Sequence, residues 1–261
     1  MPDLAVIGSQ DVESHEWLDD TRKIEIRLDD QSVSATIGHL NGCELIVLPR
    51  NGVNRPMPPH AIDYKSNIQA LVASGVRRVM TTSMVGTLRR SIPVDSLLLL
   101  DQFIDFTKNR QFTYFTDDRF GFADMTEPFC PALRGRTLAA AEKAGIEIAP
   151  HACYLCVPGP RFETRAEVQM FAQWGADVIG HTTVTDCVMA REAGLCFTTV
   201  AGVITLGAGL SDHAMDAGQW HEARRRHARR FRGLVGEVAR ALAENAEPDD
   251  CRCSVAAPIE N

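Results

Sequence analysis

The sequence lacks long apolar runs and an excess of positive charge. No segment approaches the roughly 20 apolar residues of a membrane-spanning helix. Pro2 and Asp3 precede only a short apolar run at residues 4–7, so we expect no secretory leader. The 27 Lys and Arg residues against 34 Asp and Glu give a formal net charge of −7. These absences predict a cytoplasmic protein with no membrane and no nucleic-acid partner. An anionic ligand would need a local cationic pocket.

The spacing of the cysteines along the sequence does not match that of a metal-binding motif. Most of the eight cysteines lie in apolar runs, as buried reduced thiols do. Cys153 and Cys156 lie within a strand-like run, where alternation places their side chains on opposite faces, and no second pair has zinc spacing. The sequence therefore predicts no metal site. Cys251 and Cys253 fall in a polar tail, where we expect two incidental thiols of a loose segment.

What is present is the pattern of an α/β protein. The chain has 261 residues, a length that suits one domain and buries a sizeable core. Apolar strand-like runs alternate with helical patterns, which predicts a mixed central β-sheet flanked by helices. We expect a single domain over residues 1–245 and a polar C-terminal tail over residues 246–261.

Three predictions about elements bear on the site. Residues 77–83 are expected to form a strand that ends in a turn at residues 84–87, and residues 146–157 a long strand. Residues 107–124 are expected to form a long aromatic-rich loop, which usually carries function or covers a partner subunit. The basic run from Arg224 to Arg230 on the last helix is expected to be a solvated face.

A helix–strand–helix unit gathers polar groups just past a strand end. Residues 159–167 read GPRFETRAE, residues 175–184 read GADVIGHTTV, and residues 190–192 read ARE. Gly175 can end the first helix, and a second helix should open near Thr182. Ligands of open α/β sheets bind outside the carboxyl ends of strands, so this unit is the candidate site.

These motifs resemble the signature of the trimeric purine nucleoside phosphorylases and methylthioadenosine phosphorylases. The similarity extends through residues 67–71, 101–105 and 127–130 and covers roughly residues 4–240. It implies a nucleoside phosphorylase-like three-layer sandwich and a homotrimer, or a dimer of trimers, with active sites at subunit interfaces. It also implies pentosyl transfer to inorganic phosphate as co-substrate, with no cofactor. A Cys-x-Cys tail such as the one at Cys251 occurs in some methylthioadenosine phosphorylases as a disulfide.

The resemblance assigns phosphate-binding positions, several of them altered. The family's Gly-Gly-Ser/Thr-Gly turn, an anion nest of backbone N–H groups, reads here as Gly8, Ser9, Gln10 and Asp11. The family's Arg-His pair is Arg50 and Asn51, and a later histidine corresponds to Arg55. Hydroxyl positions match Ser83 and Thr182. Two guanidinium groups thus remain as forks for an anion; the alternative is that Arg50 and Arg55 pair with surface carboxylates.

The resemblance also assigns the sugar pocket. Its candidate walls are Tyr64, Met84 and His181, the last in place of a family methionine. Phe122 resembles the phenylalanine that purine nucleoside phosphorylases borrow from a neighbouring subunit, and His221 resembles the histidine that meets a 5′-hydroxyl. We leave open whether His181 hydrogen-bonds a hydroxyl or only packs, and whether His221 is a surface histidine.

For the base, Phe162 and Glu163 match the pair in enzymes that act on 6-oxopurines, where the carboxylate accepts N1–H. The residue after Thr205 should be the family's asparagine or aspartate at purine N7, but it is Leu206, which can neither donate nor accept. Asp212 or His213 could supply a replacement acid. The candidate catalytic residues are therefore Glu163, Asp212 and His213.

Three functions remain compatible with these residues. The first is a purine nucleoside or 5′-methylthionucleoside phosphorylase that releases free purine and ribose 1-phosphate or its 5-modified analogue. The second is a relative with altered N-glycosidic chemistry, such as a nucleoside hydrolase. The third is a non-catalytic nucleoside-binding protein. The matched motifs favour the first two, whereas the altered nest and Leu206 favour the last two.

Overall fold

The computed structural model describes residues 1–8, 15–53, 56–115, 121–211, 216–245 and 250–253. Its strands are β1 Leu4–Gly8, β2 Asp19–Arg27, β3 Ser32–Leu40, β4 Cys43–Pro49, β5 Arg78–Thr87, β6 Leu97–Leu99, β7 Gln102–Asp105, β8 Cys153–Cys156, β9 Val178–Gly180 and β10 Cys196–Leu206. Its α-helices are α1 Tyr64–Ala73, α2 Pro131–Lys143, α3 Arg165–Gln173, α4 Thr183–Glu192 and α5 Ala217–Glu244.

In this described part, the ten strands form one mixed sheet, which confirms the predicted fold class. The strand order is β2-β3-β4-β1-β5-β9-β8-β7, and β10 pairs with both β5 and β6. Strands β4, β1, β5 and β10 run parallel to their neighbours within this set, so their carboxyl ends meet at one edge. Strand β9 meets β5 antiparallel, with Gly86 opposite Ile179, which brings the start of α4 to the same edge.

Apolar side chains cover both faces of the sheet. All five residues of β1 are buried, as are nine of the eleven in β10, which is the pattern of strands buried on both faces. One cluster joins the sheet to α1 and α4. A second joins it to α2 and α5, with Phe231, Leu234, Val235 and Val238 of α5 at its centre. Each fully buried side chain of this size contributes about 1.5–3 kcal/mol.

Two element predictions differ from the structure, and one strand was not predicted. Strand β5 continues to Thr87 instead of turning at residue 84, because Gly86 and Thr87 pair with β9 on one side and β10 on the other. The predicted strand at 146–157 is reduced to β8, after Pro150, whose ring nitrogen cannot donate a ladder hydrogen bond. Strand β7 was not predicted; it pairs parallel with β8.

The C-terminal residues 250–253 also differ from the expected loose segment. Cys253 is 1% exposed and packs with Cys130 and Cys196. All eight cysteines are free thiols. Among the described residues, no helix is both long and apolar enough to cross a membrane.

Candidate active site

A cavity of about 1100 Å³ opens at the carboxyl edge of the sheet. The ends of β5, β9 and β10, the loop after β4, and the starts of α3 and α5 supply its walls. Ten of the predicted site residues line it: Arg50, Asn51, Ser83, Met84, Phe162, Glu163, His181, Thr182, Thr205 and Leu206. The topology thus brings together residues that lie up to 156 positions apart in the sequence.

Arg50 is the buried cation of this cavity. It is 3% exposed, its Nε donates to Oδ2 of Asp186 at 2.7 Å, and its Nη1 donates to the carbonyl of Thr82 at 3.2 Å. Its Nη2 is buried and finds no hydrogen-bond partner among the described residues. A buried donor without a partner costs about 1–3 kcal/mol, and an anion in the cavity would remove that cost.

Asp186 fixes the orientation of the Arg50 guanidinium. This carboxyl lies in the first turn of α4 and is fully buried. Burial raises the pKa of Asp186, and the charge and hydrogen bond of Arg50 oppose that shift. The sequence-based alternative expected Arg50 to pair with a surface carboxylate; Arg50 does pair with a carboxylate, but that partner is buried. This ion pair leaves the Nη2 atom of Arg50 without a hydrogen-bond partner among the described residues.

Backbone contacts place Arg50 beside the end of β1. The N–H of Arg50 donates to the carbonyl of Gly8 at 3.0 Å, and Asn67 Nδ2 donates to the carbonyl of Arg50 at 3.1 Å. Gly8 itself is not among the lining residues. Ser9, Gln10 and Arg55, the other predicted phosphate-binding residues, lie outside the described ranges.

Tyr154 holds the polar turn between β9 and α4. Its hydroxyl accepts from the N–H of Thr182 at 3.3 Å, and burial raises its pKa to about 12, so it stays neutral. A Cβ at Gly180 would collide with the Tyr154 ring and hydroxyl, so only glycine allows this packing. Thr182, the N-cap of α4, and Ser83 of β5 both line the cavity.

Glu163 supplies a carboxylate at the opening of α3. Its Oε1 is buried and has no hydrogen-bond partner within the described chain. Burial raises the pKa of this carboxyl. Thr164 caps α3 by accepting from the N–H of Glu167 at 3.2 Å, and the Glu167 carboxylate accepts from the N–H of Thr164 at 2.8 Å. This reciprocal cap fixes the backbone directly after Glu163, which positions a free acceptor in the cavity wall.

The surroundings of His181 favour the neutral form of its ring. Burial lowers its pKa, and a backbone hydrogen bond with Val157 opposes the shift. Its ring packs against Gly159, where a Cβ would lie 3.1 Å from the imidazole, while Nδ1 is buried without a partner among described atoms. His181 therefore both packs and retains a free ring nitrogen.

Leu206 lines the cavity without filling it. Strand β10 carries it beside Thr87 of β5, and Gly207 continues the pairing by donating to the carbonyl of Thr87 at 2.8 Å. The hydroxyl of Thr205 donates to the carbonyl of Leu206 at 3.2 Å. The position therefore offers an apolar wall. Asp212 and His213, the suggested replacement acids, lie outside the described residues.

Three predicted substrate-binding residues do not line the cavity within this single chain. Tyr64 is 3% exposed in α1, with its hydroxyl donating to the carbonyl of Pro59 at 2.7 Å. Phe122 is 78% exposed. His221 is exposed on α5 and stacks edge-on with Trp220, with ring centroids 4.9 Å apart.

Sequence reasoning missed the residues that α5 contributes. Trp220 lines the cavity, and its Nε1 is buried with no partner in the described residues. Arg224 stacks on the Trp220 ring at 4.6 Å. Arg226 pairs with Asp95 at 2.9 Å. The expectation that this basic run is only a solvated face is thus wrong. The sequence shows an aromatic residue directly before His221, but it does not show which turn of α5 faces the cavity.

Known proteins are similar to this chain in sequence and in fold. The model of the phosphorylase superfamily matches residues 5–244. A probable 6-oxopurine nucleoside phosphorylase of Thermococcus kodakarensis is 38% identical over 82% of this chain and 83% of its own length. The S-methyl-5′-thioadenosine phosphorylase of Pyrococcus furiosus is 37% identical over 78% of this chain and 79% of its own.

A solved structure of a methylthioadenosine phosphorylase has a similar fold. A methylthioadenosine phosphorylase from an antarctic soil metagenomic library superposes with a TM-score of 0.88 at 28% identity, covering 98% of this chain and 90% of that one. The order of motifs, the sheet with its cavity and these similarities lead to one conclusion. The chain belongs to the phosphorylase superfamily, among the purine nucleoside and methylthioadenosine phosphorylases that its motifs resemble.

Proposed function

We propose that the protein is a purine nucleoside phosphorylase that prefers 6-oxopurine ribosides. The main observation in support is that one cavity contains a hydrogen-bond donor and an acceptor, on side chains of opposite charge, that both lack a partner among the described residues. The buried Arg50 Nη2 is a donor without an acceptor, and the buried Glu163 Oε1 is an acceptor without a donor. Phosphate at the first and the N1–H of a 6-oxopurine at the second would satisfy both.

The reaction is a displacement at the anomeric carbon. Arg50 and the hydroxyls of Ser83 and Thr182 hold phosphate on one side of the sugar. The N-glycosidic bond breaks as a C–O bond to phosphate forms, and the bonding electrons leave with the purine. Hydrogen bonds to the departing base stabilise that charge. No cofactor takes part, since phosphate is the second substrate.

Preference among purines follows from Glu163. An ionised carboxylate only accepts hydrogen bonds, so it suits the N1–H of hypoxanthine or guanine and opposes the unprotonated N1 of adenine. The names of the relatives include both 6-oxopurine and methylthioadenosine enzymes, and Glu163 supports the former. A site with a buried acceptor rejects a ligand that cannot donate to it.

The 5′ end is assigned to Trp220 instead of His221. Its unpartnered indole N–H can donate to a 5′-hydroxyl oxygen. A methylthio sulfur is a much weaker acceptor. We therefore favour ribosides with an intact 5′-hydroxyl over 5′-methylthioribosides. The sequence-based proposals of a homotrimer, or a dimer of trimers, and of a cytoplasmic location are retained as part of this function.

The test is release of free base from inosine, guanosine, adenosine and methylthioadenosine, each with and without phosphate. We expect release from inosine and guanosine only when phosphate is present, with ribose 1-phosphate as the second product. Release without phosphate would instead establish a nucleoside hydrolase. Saturable binding of inosine without any turnover would establish a nucleoside-binding protein.

A further inference from the structure

Four cysteine sulfurs converge at the edge of the sheet remote from the cavity. The Sγ atoms of Cys130, Cys196, Cys251 and Cys253 all lie within 4.8 Å of one another, and three of the four residues are buried. The Sγ atoms of Cys196 and Cys251 are 3.3 Å apart. Four sulfurs bound to one zinc ion at about 2.3 Å stand roughly 3.8 Å apart. The cluster therefore needs a contraction of at most about 1 Å.

The backbone explains why these four side chains meet. Cys130 is the N-cap of α2, and Cys196 is the first residue of β10. Cys251 and Cys253 are two residues apart in a segment that bends at Arg252 and turns at Cys253, and both sulfurs reach the other two. Only the fold brings these three separate parts of the chain together, which is why the sequence pattern alone indicated no metal.

The surroundings favour negative charge on sulfur. Arg191, which is 8% exposed, donates from Nη1 to Sγ of Cys253 at 3.2 Å and from Nε to the carbonyl of Asp124 at 3.3 Å. A buried guanidinium needs an anionic partner, and a thiolate would be one. The N–H of Leu133 donates to Sγ of Cys130 at 3.4 Å, at the positive end of the α2 dipole. Such outer contacts orient and stabilise metal ligands.

We propose that these four cysteines form a structural site for one zinc ion or a similar soft divalent cation. Binding releases four thiol protons and forms four metal–sulfur bonds, with no change in oxidation state. Four protein ligands leave no open position, so the site is structural and not catalytic. The metal would tie the C-terminal residues 250–253 to the starts of α2 and β10.

The first experiment measures metal in full-length protein purified under reducing conditions without chelator. We expect about one zinc per chain by inductively coupled plasma mass spectrometry. Cys251→Ser should lose at least tenfold in zinc affinity, because Cys251 is half-buried and its replacement leaves the core intact. Cys153→Ser is the matched control, since Cys153 is also half-buried and should leave the zinc content unchanged.

The second experiment replaces zinc with cobalt. Four thiolates around Co²⁺ give intense visible bands and a sulfur-to-metal charge-transfer band, which should appear in the unmodified protein and in Cys153→Ser but not in Cys251→Ser. Removal of zinc by chelator should lower the melting temperature, because metal bound only in the folded state adds its binding free energy to folding.

Two results would overturn the proposal. One is protein without zinc, and without cobalt bands, whose eight thiols all react with a thiol reagent after denaturation. The other is mass-spectrometric identification of a disulfide between any two of the four cysteines in protein purified without reductant but with zinc. Base release by Cys251→Ser should stay close to that of the unmodified enzyme, so failure of this site and failure of the proposed activity are distinguishable.

Discussion

At the scale of single residues, Arg50 carries the anion site. Arg50→Gln should lower kcat/KM for phosphate by about 10²–10³, the range found when one charge-stabilising donor is lost. It should also destabilise the fold by about 3–5 kcal/mol, because Asp186 is left as a buried unpaired charge. Steady-state kinetics at varied phosphate and thermal melting measure the two effects.

A double variant separates these effects. Arg50→Met with Asp186→Leu removes both charges, and such replacements of buried ion pairs are often neutral for stability. We expect its melting temperature to recover while phosphate use stays lost. Recovery of phosphorolysis together with stability would mean that Arg50 is a structural residue and not an anion ligand.

We expect the ionisation of Glu163 to make the activity on inosine depend on pH. Its carboxylate must be ionised to accept N1–H, and burial raises its pKa above the ordinary value. Activity on inosine should therefore be full above the raised pKa and fall as the pH drops through it. Glu163→Gln should remove this acidic limb and bring inosine and adenosine to within about tenfold of each other in kcat/KM. An unchanged pH profile, or equal use of both nucleosides by the unmodified enzyme, would contradict the role.

We expect a substitution at Leu206 to increase the rate of base release. An amide at this position, next to Thr205, could hydrogen-bond the departing purine, and one such contact typically changes rates by about 10²-fold. Leu206→Asn should therefore raise the rate of base release with phosphate, measured as kcat on inosine. Leu206→Val, which keeps the wall apolar, is the control. An unchanged kcat in the asparagine variant would indicate that another residue already stabilises the leaving base.

At the scale of elements, sequence patterns place the helix–strand–helix unit of residues 159–192 well, because its capping residues and glycines act locally. Thr164 caps α3, and Gly175 follows it with a φ of 95°. The patterns fail where distant neighbours decide. Residues 84–87 form a strand only because β9 and β10 flank them, and Asp186 finds Arg50 across 136 positions.

The same limit applies within α5. Helical periodicity predicts the helix, but it cannot tell which turn faces the cavity. Trp220 therefore became visible only in the packed structure, through its unpartnered Nε1. The residues recovered by motif, such as Ser83 on β5 and Thr182 at the start of α4, are held in place by the pairing of β5 with β9.

Close packing of α5 on β10 predicts a glycine requirement. A Cβ at Gly202 would lie 2.5 Å from Nδ1 of His227 and 2.9 Å from Cζ of Phe231. Both rings are buried, so neither can move freely. Gly202→Ala should destabilise the protein by about 1–3 kcal/mol, the usual cost of overpacking.

Gly233→Ala on α5 is the control, because no atom lies within 4 Å of its added methyl. It should stabilise by up to about 1 kcal/mol. Urea unfolding measures both, and equal midpoints for the two variants would refute the packing argument.

At the scale of the whole molecule, the exposed aromatic side chains indicate what this chain lacks alone. Phe122 is 78% exposed and Phe112 is 72% exposed, on either side of residues 116–120, which the structure does not describe. A subunit interface would cover both of these large apolar side chains. A homotrimer in which Phe122 completes the cavity of the neighbouring subunit would account for both the exposure and the resemblance.

Subunit mixing tests that arrangement. Phe122→Ala should raise KM for inosine by about tenfold, from loss of one apolar contact worth about 1–3 kcal/mol, and Glu163→Gln should lower kcat/KM for inosine at the site of its own chain. If sites are shared between subunits, co-expressed chains assemble some sites that combine an intact Glu163 with an intact Phe122 from the neighbour. The mixture should then exceed the summed activities of the two pure variants at low inosine, with sedimentation confirming a trimer in all three preparations. Activity equal to that sum, or a monomer in sedimentation, would show that each chain builds its cavity alone and that Phe122 is exposed for another reason.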